Sequence, residues 1–173
     1  MTRYILIIAT SALLYCCDDS GSKELLLYEG PVREAENVEH YYTENGRIKV
    51  KMIAEQLFEK QNGDREFPKG LYLEFYDESG KLKSTLRANQ AYFFKEEDKW
   101  RALGNVEVIN VQKSEQLNTE ELFWKQKEKK IYTDKFVTIR QQSDVIYGEG
   151  LDAAQDMSSY RILKPTGTLR IKE

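Results

Sequence analysis

Apolar residues recur at every second position in short runs along this chain: Ile48, Val50, Met52 and Ala54; Leu71, Leu73 and Phe75; Val106 and Val108; Val137 and Ile139; Leu169 and Ile171. A strand sends successive side chains to opposite faces, so these runs predict half-buried β-strands. No window sustains the 3.6-residue period of an amphipathic helix. Turn-forming clusters punctuate the runs at Glu44-Asn45-Gly46, Asp77-Glu78-Ser79-Gly80, Lys95-Glu96-Glu97-Asp98 and Gln141-Gln142-Ser143-Asp144. The pattern predicts an all-β fold: a sandwich, barrel or roll.

Within this pattern one element recurs four times. A bulky apolar residue is followed two positions on by a small residue or Thr, and three further on by an apolar residue: Met52/Ala54/Leu57, Leu86/Ala88/Ala91, Leu117/Thr119/Leu122 and Ile146/Gly148/Leu151. The copies start 34, 31 and 29 residues apart. A second element keeps phase with it, at Leu71/Leu73, Val106/Val108, Val137/Ile139 and Leu169/Ile171. A repeat of this length is roughly one strand pair. A two-then-three step breaks the strand period by one residue, which a bulge or corner must absorb. The small residue lets backbones approach there, and Phe58, Tyr92, Phe93, Phe123 and Trp124 are placed to cover the bend. Stacked copies predict two facing antiparallel sheets with the apolar positions between them.

The N-terminus changes the picture of where this domain works. Arg3 precedes an apolar run from Tyr4 to Tyr15, then come Cys16, Cys17, Asp18 and Asp19, the layout of a secretion signal. As a helix the run rises about 18 Å against roughly 30 Å of hydrocarbon, so it is short for a spanning anchor. Cleavage with acylation of a junction cysteine fits better, and two or more acyl chains give stable attachment. Cys17 is the better acceptor, since choosing Cys16 puts bulky Tyr15 where a small side chain is needed. The expected division is a signal peptide over 1–16, a lipidated tether over 17–30 and one β domain over 31–173, with Leu25, Leu26 and Leu27 open to reading as a first edge strand. Both cysteines lie at the junction, so the domain has no disulfide to hold it.

Charge and composition exclude more than they assign. With 40% hydrophobic and 32% charged residues, 11 Tyr and 7 Phe, the chain is too aromatic and β-branched for disorder. A net charge of -3 argues against nucleic acid as a partner. His40 is the only histidine, so neither a histidine-based triad nor a multi-histidine metal site can be assembled. Glu96-Glu97-Asp98 and Glu120-Glu121 read as solvated faces, and Lys125, Lys127, Lys129 and Lys130 as a solvated hairpin tip able to touch anionic headgroups. No metal, cofactor or catalytic residue is expected, and the chain is not expected to be an enzyme.

Taken in order, Leu86-x-Ala88-Asn89-x-Ala91-x-Phe93, Gly104-Asn105-Val106-x-Val108, Leu117-x-Thr119-x-x-Leu122-x-Trp124, Ile131-x-Thr133-Asp134-x-x-Val137-x-Ile139 and Gly148-x-Gly150-Leu151 resemble the LptC family over about residues 30–170. That family is the membrane-attached periplasmic component of lipopolysaccharide export. The resemblance implies an open β-jellyroll whose groove carries lipid A acyl chains from the inner-membrane ABC transporter complex to a soluble periplasmic jellyroll bridge protein. It implies Met52, Leu71, Leu73, Leu86, Val106, Val108, Leu117, Val137 and Ile139 as the acyl-chain lining. Jellyrolls of this family dock edge to edge, which implies Ile48 and Val50 for the transporter edge and Tyr160, Ile162, Leu169 and Ile171 for the bridge edge. The N-terminus departs from the family's usual single membrane-spanning helix, and a lipid anchor in the inner membrane is the expectation in its place. The competing readings are a carbohydrate-binding lipoprotein, which needs aromatics projecting outward together, and a structural β-sandwich that assembles through its edges without cargo.

Overall fold

The alternating runs pair into antiparallel ladders that join in one 11-stranded sheet. The computed structural model describes residue 28 and residues 30–142 and 144–167. Within them run β1 (Arg33–Glu44), β2 (Arg47–Glu59), β3 (Arg65–Phe67), β4 (Leu71–Tyr76), β5 (Leu82–Ala88), β6 (Gln90–Phe94), β7 (Lys99–Asn110), β8 (Glu115–Lys125), β9 (Lys130–Gln141), β10 (Asp144–Ala154) and β11 (Tyr160–Thr166). Cys16, Cys17, Leu25, Leu26, Leu27, Leu169 and Ile171 lie outside the described residues.

The sheet folds over along a line that crosses every long strand. The second half of β7 pairs with β5 through Glu107 to Asn110, while its first half pairs with β6 through Lys99 to Leu103. Likewise β2 pairs with β4 at Val50 to Ile53 and with β3 at Phe58 and Glu59. Each long strand therefore contributes one half to each of two facing layers. Phe75 on β4 and Trp124 on β8 are not neighbours in the sheet, yet their rings meet edge-on at 5.4 Å. The two expected sheets are thus the arms of one continuous sheet, the form of an open roll.

The two-then-three step falls on the fold line. The register between β8 and β9 shifts between Thr119 and Phe123, that between β9 and β10 between Glu149 and Leu151, and that between β7 and β8 between Leu103 and Val106. Bending requires left-handed backbone at Gly104 (φ 73) and Asn105 (φ 47), and glycine and asparagine adopt it at least cost. Where β10 meets β11, a Cβ on Gly148 would lie 2.3 Å from Ile162 Cγ2 and 2.7 Å from the Lys164 carbonyl oxygen. Only a glycine lets the two backbones approach so closely.

Between the layers lies one apolar core. Val106, Val108, Leu117, Val137, Ile139, Leu151 and Phe67 are fully buried, each burial stabilising the fold by about 1.5–3 kcal/mol. Small Ala88, Ala91 and Ala102 fill the crease. No cysteine falls among the described residues, so side-chain packing and the strand ladders carry the stability of this part of the chain. The sheet is not closed: β1 pairs only with β2 and β11 only with β10, which leaves one backbone edge free at each end of the described roll.

Candidate functional site

Opposite the crease, the two rows of turns stand apart over one stretch and are tied together at its border. Near β1, β2 and β4 they leave a mouth of about 650 Å³, which leads to an inner chamber of about 230 Å³. The two share Tyr42, Val50, Trp124 and Gln126 as wall residues. The mouth is within the range of small-ligand sites, about 300–1,000 Å³, and the chamber alone falls below it. Val50, Met52, Leu73, Phe93, Trp100 and Trp124 make the chamber apolar and aromatic. Ring contacts run through it, from Phe93 to Trp100 at 4.9 Å and from Trp100 to Trp124 at 5.8 Å.

At one border of this mouth, where Gln155 and Asp156 form part of its lining, the loop between β10 and β11 straps the layers together. Met157 on this loop is fully buried in the core in a left-handed conformation, φ 56. Asn110 Nδ2 donates to the Asp156 carbonyl at 2.7 Å, and Lys113 Nζ donates to the Ser158 carbonyl at 2.8 Å. Trp124 Nε1 donates to Gln155 Oε1 at 3.0 Å. The Asp156 carboxylate pairs with Lys83 Nζ at 2.5 Å. Burial pushes the Asp156 carboxyl up, but hydrogen bonds from Lys83 and Ser158 outweigh it and hold the group at about 2. Residues of β5 and β7 in one layer are thereby fastened to a loop that extends the other.

All nine residues named as acyl-chain lining come together in this core, but in three settings. Met52 and Leu73 form chamber wall. Leu71 and Leu86 border a void of only about 10 Å³ beneath Trp100 and Trp124. Val106, Val108, Leu117, Val137 and Ile139 are closed off completely behind the strap. The candidate edge residues divide as well. Tyr160 and Ile162 lie on β11, which is an edge strand. Ile48 and Val50 lie on β2, one strand in, because β1 covers it along its whole length; the free edge belongs to β1.

Other side chains depart from expectation for physical reasons. Phe93 and Trp124 do not cover the bend but turn inward onto the chamber. Glu121 is not solvated: it is 7% exposed and held by Arg101 Nε at 2.6 Å and Lys135 Nζ at 3.6 Å. In the lysine run, Lys125 pairs with Glu128, Lys127 with Asp98 and Lys130 with Asp152. Lys127 and Lys129 stand at the mouth. Lys49, on the opposite rim, bonds to Glu78 at 2.7 Å and holds its carboxyl below the usual range. Sequence reasoning missed the aromatic chamber wall of Trp100 and Phe93, although the aromatic count was its signal.

The outer face carries one exposed apolar group beside β11. Phe136 and Tyr147 stack at 6.2 Å, and with Val145 and Leu163 each is 42–54% exposed. Among the described residues no group of His, Cys, Asp or Glu is placed to hold a metal ion, and no helix is long and apolar enough to cross a membrane.

Comparison with known proteins agrees with this architecture. The family model described as lipopolysaccharide-assembly, LptC-related, matches residues 4–168. No curated protein matches the chain. A match over nearly the whole sequence, joined to an open roll with an apolar interior, decides the assignment: the chain belongs to the LptC-related family, periplasmic components of lipopolysaccharide transport associated with the inner membrane.

Proposed function

We propose that the space between the layers receives the acyl chains of lipopolysaccharide, that they enter at the mouth beside β1, and that they leave toward β11. The observation that carries this reading is the single apolar interior spanning the roll between its two free edges, with a mouth beside β1 and β2 that the strap borders and, beyond the strap, a closed core. An enzyme needs convergent acid, base or nucleophilic groups; this interior offers aliphatic and aromatic surface, which holds chains without reacting with them. Met52 and Leu73 meet the lipid first. Leu71, Leu86, Val106, Val108, Leu117, Val137 and Ile139 meet it only when the strap yields, because they are packed shut in the present state.

In this reading residues 1–16 are a signal peptide, Cys17 carries the lipid anchor in the inner membrane, and 17–30 form the tether of the domain at 31–173. The free edge of β1 faces the inner-membrane ABC transporter complex and that of β11 the soluble periplasmic bridge protein, by strand addition. The exposed cluster of Phe136, Val145, Tyr147 and Leu163 beside β11 supports a protein partner there, since apolar groups concentrated next to a free edge are covered at little cost. The rings of Phe136 and Tyr147 stack on each other, which leaves less open ring face for a sugar.

A photoreactive residue at Leu73 of the purified chain, exposed to purified lipopolysaccharide, tests the cargo. Lipid adducts at Leu73 and none at the outward-facing Thr138 are expected. Equal labelling at both positions would refute an interior site.

A further inference from the structure

β3 carries an arginine where its alternation should place an apolar residue. Phe67 is fully buried in the core, and Arg65, two positions earlier on the same strand, shares its face. Arg65 forms part of the inner chamber wall. Its guanidinium carbon lies 5.6 Å from the Phe93 ring centroid. Its Nε is shielded from solvent without a hydrogen-bond partner, and Nε1 of Trp100, another residue of the chamber wall, is in the same condition. No carboxylate pairs with Arg65 among the described residues, and no Asp or Glu lines the chamber.

Three of the lysines at the mouth are compensated. Lys49, Lys83 and Lys127 each have a carboxylate partner within 2.9 Å. Arg65, half-buried and without a carboxylate partner, instead presents a buried, unbonded Nε–H at an apolar cavity, where a polar group without an acceptor is costly. Two unpartnered N–H donors thus belong to the wall of one small chamber, and an arginine fork matches the geometry of phosphate or carboxylate oxygens.

We infer that the inner chamber is a binding site for an oxyanion joined to an alkyl chain. The oxyanion accepts from Arg65 and Trp100 Nε1, and the chain lies along Met52, Leu73 and Trp124. The inference rests on the reading of the interior as a lipid site and adds that its entrance selects a charged amphiphile over a neutral one.

The two tryptophans of the chain, Trp100 and Trp124, report occupancy by fluorescence. The full chain is titrated below micelle-forming concentrations with dodecyl phosphate, dodecanoate, neutral dodecyl maltoside and inorganic phosphate. Charge-assisted bonds of this kind should make one or both anionic amphiphiles bind at least about tenfold more tightly than the maltoside. Arg65→Met should abolish that preference while leaving maltoside affinity unchanged, and Trp100→Phe, which keeps a ring and removes the N–H, should weaken the anionic probes alone. Circular dichroism verifies that both variants are folded, and the maltoside affinity serves as the internal control. A preference for dodecyl phosphate over dodecanoate assigns phosphate as the oxyanion, and the reverse assigns carboxylate. Binding of inorganic phosphate as tightly as dodecyl phosphate would overturn the amphiphile assignment. An unchanged preference in Arg65→Met, with the maltoside and lipopolysaccharide still bound, would overturn this inference and leave the lipid reading standing. If no amphiphile perturbs the wild-type tryptophans, both fall.

Discussion

Replacing Asp156 by Asn should loosen the strap, and the size of the effect follows from the carboxyl's environment. The folded chain holds the Asp156 carboxyl at about 2, against an ordinary value of 3.8. At about 1.36 kcal/mol per unit, this displacement corresponds to a ceiling of roughly 2.4 kcal/mol. The Asp156 side chain is 17% exposed but Lys83 is 34% exposed, so solvent screening reduces the expected contribution to about 1–2 kcal/mol. Because the folded value is depressed, the contribution is fully present above the unfolded value near pH 4 and is lost as the pH falls through about 2. Urea denaturation at pH 7, 4, 3 and 2 should show Asp156→Asn less stable by about 1–2 kcal/mol at neutral pH, with the gap closing toward pH 2. A double-mutant cycle with Lys83→Met should return a coupling of similar size. A gap that is absent at pH 7, or as wide at pH 2 as at pH 7, would refute the assignment of the strap to this pair.

Leu117 is fully buried, and Leu117→Ala should cost about 2–5 kcal/mol by urea denaturation, with the larger value where the facing layer cannot collapse into the gap. Gly148→Val places atoms where Ile162 and the Lys164 carbonyl now sit; amide exchange over Tyr160–Thr166 should accelerate while that of β7 and β8 is unchanged. Trp124→Phe removes the bond to Gln155 and should destabilise by about 0.5–1.5 kcal/mol in the same denaturation assay.

The corners were readable in the sequence because they break a period. Side chains alternate strictly along a strand, so Thr119 followed by Leu122 and Gly148 followed by Leu151 can share the interior only if the backbone absorbs one residue, and the register shifts there. The nine candidate lining residues share the core for the same reason. β1 was harder to read, since an edge strand with most of both faces in water carries almost no alternation: only Ala35 and Val38 are partly covered. Its sequence is therefore polar, and Ile48 and Val50 on the next strand took its place as the expected edge.

Charge misled more than apolarity did. Glu121 read as solvated because its type is usually exposed, and Arg65 gave no signal at all; only the neighbours brought by the fold, Arg101 and Lys135 for one and Phe93 for the other, reveal their settings. Met157 sits in the polar stretch Gln155-Asp156-Met157-Ser158-Ser159, and its burial depends on where the loop is carried. No local pattern encodes the strap or the asymmetry between the open and closed sides of the roll.

That asymmetry makes one measurement the most direct. Photoreactive residues placed in cells at Met52 on the open side, at Ile139 behind the strap and at the outward-facing Phe136 ask whether lipopolysaccharide passes between the layers. Adducts at Met52 and Ile139 but not at Phe136, lost when the export ATPase is disabled, are the predicted result. Interior positions without lipid, while residues on β1 and β11 still crosslink to protein partners, would contradict a lipid path and leave a scaffold that joins its neighbours through its edges.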